Sequence, residues 1–261
     1  MNQQELPNMK VLIAHLGARK HYQEPILFHQ WGILDRFYTD FYAGHSRVAN
    51  FLRNSNIYSH LHPYIKKGLD RYDPALEQAR IIHFPKLGYQ YLSELRKANP
   101  QQRTKVNINI GRIFCREIIK NGVKDVDLVY GYDGASLELF EYAKSRGIRC
   151  VLDQTVAERS SIYKLLLEEE KMWPGWSKSP FTVNEDDWEL VDRQNQEQDL
   201  ADAIICGSSF VKDSLLARGV AAEKIHVIPF GRCKDNMNAH SISQLDRDRA
   251  DELRILFAGS V

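Results

Sequence analysis

The sequence is poor in several features that would fix a fold or a compartment cheaply. Cysteine is scarce: the 261 residues hold four, Cys115, Cys150, Cys206 and Cys233, widely scattered. That excludes a disulfide scaffold, and the missing C-x-x-C spacing leaves structural zinc without a signature. No apolar run approaches the roughly 18 residues of a membrane-spanning helix. Met1 to Asn8 is polar and lacks the basic-then-apolar order of a secretory leader. The chain therefore reads as soluble and cytoplasmic. H-E-x-x-H spacing is absent, so no metal site is expected, and G-x-G-x-x-G is absent too. Net charge is almost absent: 35 Lys and Arg stand against 34 Asp and Glu, giving +1. A neutral total argues against nucleic acid as a partner.

What is present is an ordinary globular composition, 43% hydrophobic and 10% aromatic, which excludes disorder as the main description. The length suits one large domain, or one domain and part of another. The small net charge hides an asymmetry. Ser46 to Lys120 contains 14 basic and 5 acidic residues. Arg53, Lys66, Lys67, Arg71, Lys86, Arg96 and Lys97 lie among Phe51, Tyr58, Tyr64, Tyr72, Phe84, Tyr89 and Tyr91. Such interleaving suits anionic headgroups or sugar rings and suggests weak peripheral association at the inner face of a membrane. The competing reading is a set of solvated helix faces.

Short apolar runs alternate with helical patterns. Strands are expected at 10–15, 37–42, 80–85, 127–133, 149–153, 203–206 and 225–229. Helices are expected at 22–36, 87–98, 104–121, 135–146, 156–172, 186–200 and 209–218. Gly147 and Gly219 serve as stops. The class is α/β, a doubly wound parallel sheet covered on both faces. Ligands of such sheets lie beyond the carboxyl ends of the strands. That rule selects His15, Gly17, Arg19 and Lys20 after the first strand, and Tyr132, Asp133 and Gly134 after the fourth. It also selects Asp153, Gln154 and Thr155, then Ser208 and Ser209, then Phe230 and Gly231.

Each group has two readings. Arg19 and Lys20 could meet a phosphate or form a solvated basic turn. Ser208 and Ser209 open a helix, so they could face an anion or simply cap the helix. Gly131-Tyr-Asp133-Gly-Ala135 fits a nucleophile elbow with aspartate as nucleophile, an α/β-hydrolase arrangement, or else a strand-to-helix turn under a cleft. Asp125 and Asp127 lie at the entry end of their strand. Glu168 to Glu170 read as a solvated helix face. His60 and His62 are a weak metal pair. After Gly231 the chain turns polar and aperiodic, a linker at 232–252, and a new strand opens at 253–261.

The order of pieces in the last third carries a resemblance. Gln196-Glu-Gln-Asp-Leu-Ala-Asp-Ala-Ile-Ile-Cys-Gly-Ser-Ser-Phe-Val-Lys-Asp-Ser-Leu215 is followed by Gly219-Val-Ala-Ala-Glu-Lys-Ile-His-Val-Ile-Pro-Phe-Gly231 and Arg254-Ile-Leu-Phe-Ala-Gly259. This resembles glycosyltransferase family 4, with Met9 to His15 as the first strand. The resemblance implies a GT-B fold of two Rossmann-like domains, here an acceptor-side domain over 1–231 and only the first strand of the second. It implies retaining, metal-independent transfer from a nucleotide sugar to a glycan or lipid-linked glycan, as in polysaccharide biosynthesis. The nucleotide sugar is a co-substrate, bound mainly by the second domain, and no other cofactor is implied. On this reading the isolated chain is inactive, and a separately encoded C-terminal domain is its partner. Glu189 and Glu197 have the family's Glu-x7-Glu spacing but fall in the wrong domain. Where the family carries His-Asp near the transferred sugar, Asp153-Gln154 stands here. A non-catalytic binding domain is the alternative.

Overall fold

The computed structural model describes residues 9–44, 46–176 and 180–229. Phe230, Gly231, the 232–252 linker and the 253–261 strand lie outside the described residues, as does the side chain of Tyr64.

Seven strands form one sheet: β1 (Val11–His15), β2 (Leu34–Thr39), β3 (Ile81–His83), β4 (Leu128–Tyr132), β5 (Arg149–Gln154), β6 (Ala203–Cys206) and β7 (Ile225–Val227). Their order is β3-β2-β1-β4-β5-β6-β7, and each neighbouring pair is parallel. The helices are α1 (Gln23–Gln30), α2 (Arg47–Arg53), α3 (Pro63–Leu69), α4 (Pro85–Lys97), α5 (Arg103–Asn121), α6 (Leu137–Ser145), α7 (Arg159–Met172), α8 (Glu185–Leu200) and α9 (Ser209–Arg218). The α/β, Rossmann-like, doubly wound class expected from sequence is the observed one.

Strand periodicity divides the core in two. Side chains alternate between sheet faces. Leu12 and Ala14 of β1 therefore join Phe114, Phe140, Leu152 and Leu215 on one face. Val11 and Ile13 join Phe37, Leu76, Tyr130 and Tyr132 on the other. Both faces of β1 are dry, which is why it reads as a continuous apolar run.

The chain departs from expectation between β1 and β3. A helix at 22–36 and a strand at 37–42 are expected; α1 stops at Gln30 and β2 begins at Leu34. Gly32 adopts φ +70, which ends the helix and frees Ile33 and Leu34 for the core and the strand. Short apolar runs do not distinguish the two states by period alone. No helix is expected between β2 and β3, yet the segment forms α2 and α3. Ser46 caps α2 by accepting the N–H of Ala49. Ala43, Ala49 and Leu69 form a small core of their own beneath these helices.

Candidate functional site at the switch point of the sheet

From β1 the chain moves outward to β2 and β3, then returns to place β4 on the other side of β1. In sheets of this kind the ligand crevice lies where the strand order reverses, here between the carboxyl ends of β1 and β4. The sequence-derived candidates from three loops meet there.

His15 ends β1, fully buried, with its ring stacked on Tyr132 at 4.5 Å between centroids. Its Nε2 accepts the Arg19 N–H at 2.6 Å, which places the imidazole proton on Nδ1. That Nδ1 has no partner among the described residues. Burial, then the nearby Arg19 charge, lowers the His15 pKa to about 3, so the ring is neutral. The N–H of Gly17 donates to Asp40 Oδ1 at 2.9 Å. Asp40 is also clasped by both terminal nitrogens of Arg71, with Nη1 at 2.9 Å from Oδ2. Burial would raise the Asp40 carboxyl; Arg71 overrides it and holds the group below its usual range.

The next residues carry the cations. Arg19 Nη1 lies 3.2 Å from Asp133 Oδ1, and Lys20 Nζ lies 2.6 Å from Asp153 Oδ2. Lys20 also pairs with Glu24 at 2.9 Å. Lys20, His21 and Tyr22 all have left-handed φ, between 48 and 62 degrees. Three consecutive non-glycine residues in that region store strain of order 1 kcal/mol or more each. The ion pairs of Lys20 and the burial of Tyr22 against Phe37 and Tyr42 hold them there.

Asp133 is 4% exposed, and its carboxylate is saturated. Besides Arg19, it accepts Thr155 Oγ1 at 2.6 Å, the Thr155 N–H at 3.3 Å and Gln194 Nε2 at 3.4 Å. An elbow nucleophile stands exposed and unengaged, so this geometry does not suit the hydrolase reading. Asp153 also accepts the Tyr130 hydroxyl at 2.8 Å. Gln154 is fixed by Gln198, whose Nε2 donates at 3.1 Å.

Gly134 and Ser136 open α6, where a Rossmann-like crevice offers backbone N–H groups to an anion. Here an internal anion fills that place. Glu197 of α8 accepts the N–H groups of Gly134 at 2.6 Å, Ser136 at 2.8 Å and Leu137 at 3.1 Å. Complete burial pushes its pKa up to about 7, aided by repulsion from Asp133 and opposed by the N–H donors and Arg193. The two residues of the Glu-x7-Glu spacing have unrelated tasks. Glu189 faces Lys105 and Arg112 on the outside.

Ser208 and Ser209 share this edge of the sheet, but no hydrogen bond among the described residues joins them to the β1–β4–β5 network. Ser208 caps α9 by accepting the Val211 N–H. Among the described residues no group of three His, Cys, Asp or Glu side chains converges as a metal site would. Asp127 accepts the Lys10 N–H at the entry end of β4, away from the crevice. Glu169 and Glu170 are not a purely solvated face: they line a cavity of 540 Å³ with Trp173, Trp176 and Phe181.

Sequence reasoning missed Asp40, Arg71, Gln194 and Glu197. Asp40 follows β2 directly, and the strand-end rule would have found it had β2 been placed correctly. Glu197 sits mid-helix, and no local pattern marks a side chain aimed at a distant helix end.

No protein-family model matches the sequence, and no curated protein matches it. Solved structures do match at low identity. They include UDP-GlcNAc 2-epimerase from Neisseria meningitidis bound to UDP-GlcNAc, at 13% identity and TM-score 0.39 over 84% of this chain and 45% of that one. A UDP-glucosyltransferase from Polygonum tinctorium matches at 12% identity and TM-score 0.38, over 87% of this chain and 52% of that one. Arabidopsis thaliana UGT89C1 complexed with UDP-L-rhamnose matches at 12% and TM-score 0.40, over 87% and 54%. The chain thus spans about half the length of these structures.

Proposed function

We propose that this chain is the acceptor-side part of a GT-B glycosyltransferase resembling family 4, serving retaining, metal-independent sugar transfer from a nucleotide sugar. The observation that carries the reading is that the resembling residues occupy successive elements and hold defined positions. Glu197 secures the β4–α6 turn, and Asp202 holds the start of β5 through the Cys150 N–H at 2.7 Å. Ser208 caps α9, Gly219 stops it with φ +96, and Ile225 begins β7.

The chemistry breaks the bond between sugar C1 and a nucleoside diphosphate. The transition state is oxocarbenium-like, and negative charge grows on the departing phosphate. Catalysis then rests on positioning and on cations that meet that charge. Arg19 is the best-placed cation of this chain. Its side chain is 36% exposed at the crevice and tied to Asp133 by one 3.2 Å contact. Turning from Asp133 toward a phosphate would exchange one anion for another. Lys20, with two short ion pairs and 15% exposure, is a positioning residue for the loop. The acceptor is a glycan or lipid-linked glycan, and peripheral attachment through 46–120 belongs to the same reading.

A second reading, a binding domain without catalysis, is favoured by one observation. The N–H groups of α6 and the carboxylates of the crevice are already satisfied within the fold. A screen of nucleotide sugars and acceptors on this chain joined to a donor-binding C-terminal domain tests both. Transfer that falls at least tenfold in Arg19→Ala with fold intact supports the first. Binding of acceptors without turnover of any donor sinks it in favour of the second.

A further inference from the structure

The cavity at the end of α7 takes no part in the crevice. Leu166, Glu169, Glu170 and Trp173 share one face of α7, because residues three and four apart are neighbours on a helix. Together with Trp176 and Phe181 they line 540 Å³. That volume suits a small molecule and is too small for a folded partner. Two carboxylates line the cavity, and no Lys or Arg among the described residues does.

Local chemistry places the rings. Trp173-Pro-Gly-Trp176 follows α7 as a turn in which the Trp176 N–H donates to the Trp173 carbonyl at 3.2 Å. Pro174 takes its second position and Gly175 its third, with φ +83, as a type II turn requires. The turn thus brings two indoles to one cavity. Phe181 is anchored separately: its ring lies 5.9 Å from that of Tyr163, and its N–H donates to Glu170 Oε2 at 3.3 Å. Tyr163 in turn meets Trp188 of α8. The two indoles stay uncovered, Trp173 at 62% and Trp176 at 88% exposure. Large apolar surface left open around a cavity marks a place where something binds.

The lining selects the occupant by charge. Indole faces carry negative quadrupole density and attract cations. Glu169 and Glu170 add to that potential, so the cavity repels phosphates and other anions. A neutral sugar would leave both carboxylates without a counter-charge. A divalent metal ion needs more oxygen ligands, and among the described residues no three His, Cys, Asp or Glu side chains converge. A primary ammonium is strongly hydrated, and apolar rings do not replace that water. A methylated ammonium gives its methyl groups to the rings and its charge to the carboxylates. The cavity also stands apart from the crevice. Arg159, at the start of α7, donates to Gln194 at 2.9 Å, and Gln194 reaches Asp133. Glu169 is ten residues farther along α7, about 15 Å at 1.5 Å per residue.

We propose that this cavity binds a small quaternary ammonium ion, held among Trp173, Trp176 and Phe181, with Glu169 and Glu170 balancing its charge. The test is titration of the 261-residue chain with choline, followed by calorimetry and by indole fluorescence. The controls are dimethylbutanol, which is the uncharged carbon isostere of choline, ammonium chloride and methyl glucoside. Choline is expected to bind at least tenfold more tightly than each control and to change the indole emission. Trp176→Ala, at an exposed position, and the double change Glu169→Gln with Glu170→Gln are each expected to weaken choline binding at least tenfold. Circular dichroism of each variant establishes that the fold persists. Absence of saturable choline binding, equal binding of any control, or indifference to both variants in folded protein would each overturn the proposal. No nucleotide sugar enters the titration, so failure here leaves the transferase reading standing. Conversely, absence of turnover with any donor leaves the ammonium site standing.

Discussion

At the residue scale the molecule is governed by buried charges that find partners across long sequence separations. Glu197 gives the sharpest consequence. Its folded pKa of about 7 lies above the ordinary glutamate value of 4.5. The folded state therefore holds a proton that the unfolded state releases between those two values. Stability from this group is fully present below 4.5, falls as pH rises, and levels off above about 8, a loss of about 3 kcal/mol. Glu197→Gln does not titrate, but its amide would present a donor to the Gly134 N–H, costing about 1–3 kcal/mol. The variant should be less stable than the natural protein at pH 5, and the gap should close by pH 8. Urea unfolding across that range reads the difference, in which His15 and other shared groups cancel. A gap constant with pH would show that Glu197 does not titrate there. A second residue-scale expectation concerns Asp40. Asp40→Asn leaves Arg71 without its buried counter-charge and should cost about 3–5 kcal/mol. A change below 1 kcal/mol in urea unfolding would mean that the pair is not formed. Arg19, Lys20, Asp133, Asp153 and Thr155 were legible as one group because strand ends define an edge. Asp40 was hidden because the strand before it was placed too late, and Glu197 because a mid-helix side chain aimed at a distant helix end leaves no local trace.

At the element scale, legibility follows how strongly local chemistry and burial agree. α9 matches its expected range because Ser208 and Gly219 mark both ends. α5 is within one residue of expectation, since its apolar period persists over 19 residues. The α1–β2 boundary failed where Phe28, Ile33, Leu34 and Phe37 could continue either a helix or a strand. One glycine decided it. Gly32→Ala would force φ +70 on an L-residue, with no atom nearby to collide. The penalty is therefore conformational, about 1 kcal/mol. Thermal unfolding should show a drop of a few degrees with an unchanged far-ultraviolet spectrum. No drop would mean that the turn relaxes and does not hold the strand start. α2 and α3 escaped notice for the opposite reason: Val48, Phe51 and Ile65 face outward, and the buried pair Ala49 and Leu69 is too sparse to show a period.

At the scale of the whole molecule, a protein of net charge +1 carries its excess cations on one stretch of 75 residues. The structure narrows the surface expected there. Of the aromatics interleaved with those cations, Phe51 and Tyr89 are exposed. Tyr72 lies under the Arg53 guanidinium at 3.8 Å, Phe84 stacks on Tyr38, and Tyr91 donates its hydroxyl to Asn107. These three serve the fold. The outward apolar set is instead Val48, Phe51, Ile57, Ile65, Tyr89 and Leu92, flanked by Arg53, Lys66, Lys67 and Arg96. No helix among the described residues is long and apolar enough to cross a membrane. Each cation near an anionic surface adds about 1 kcal/mol, and the field decays over about 10 Å at 0.1 M salt. The protein should therefore co-sediment with vesicles containing phosphatidylserine at low salt and be released as salt rises. Phe51→Glu, which adds a charge where an apolar group would insert, should reduce sedimentation at every salt concentration. Zwitterionic vesicles should not retain the protein. Retention on them equal to that on anionic vesicles, or binding indifferent to salt, would reduce this face to an ordinary solvated surface.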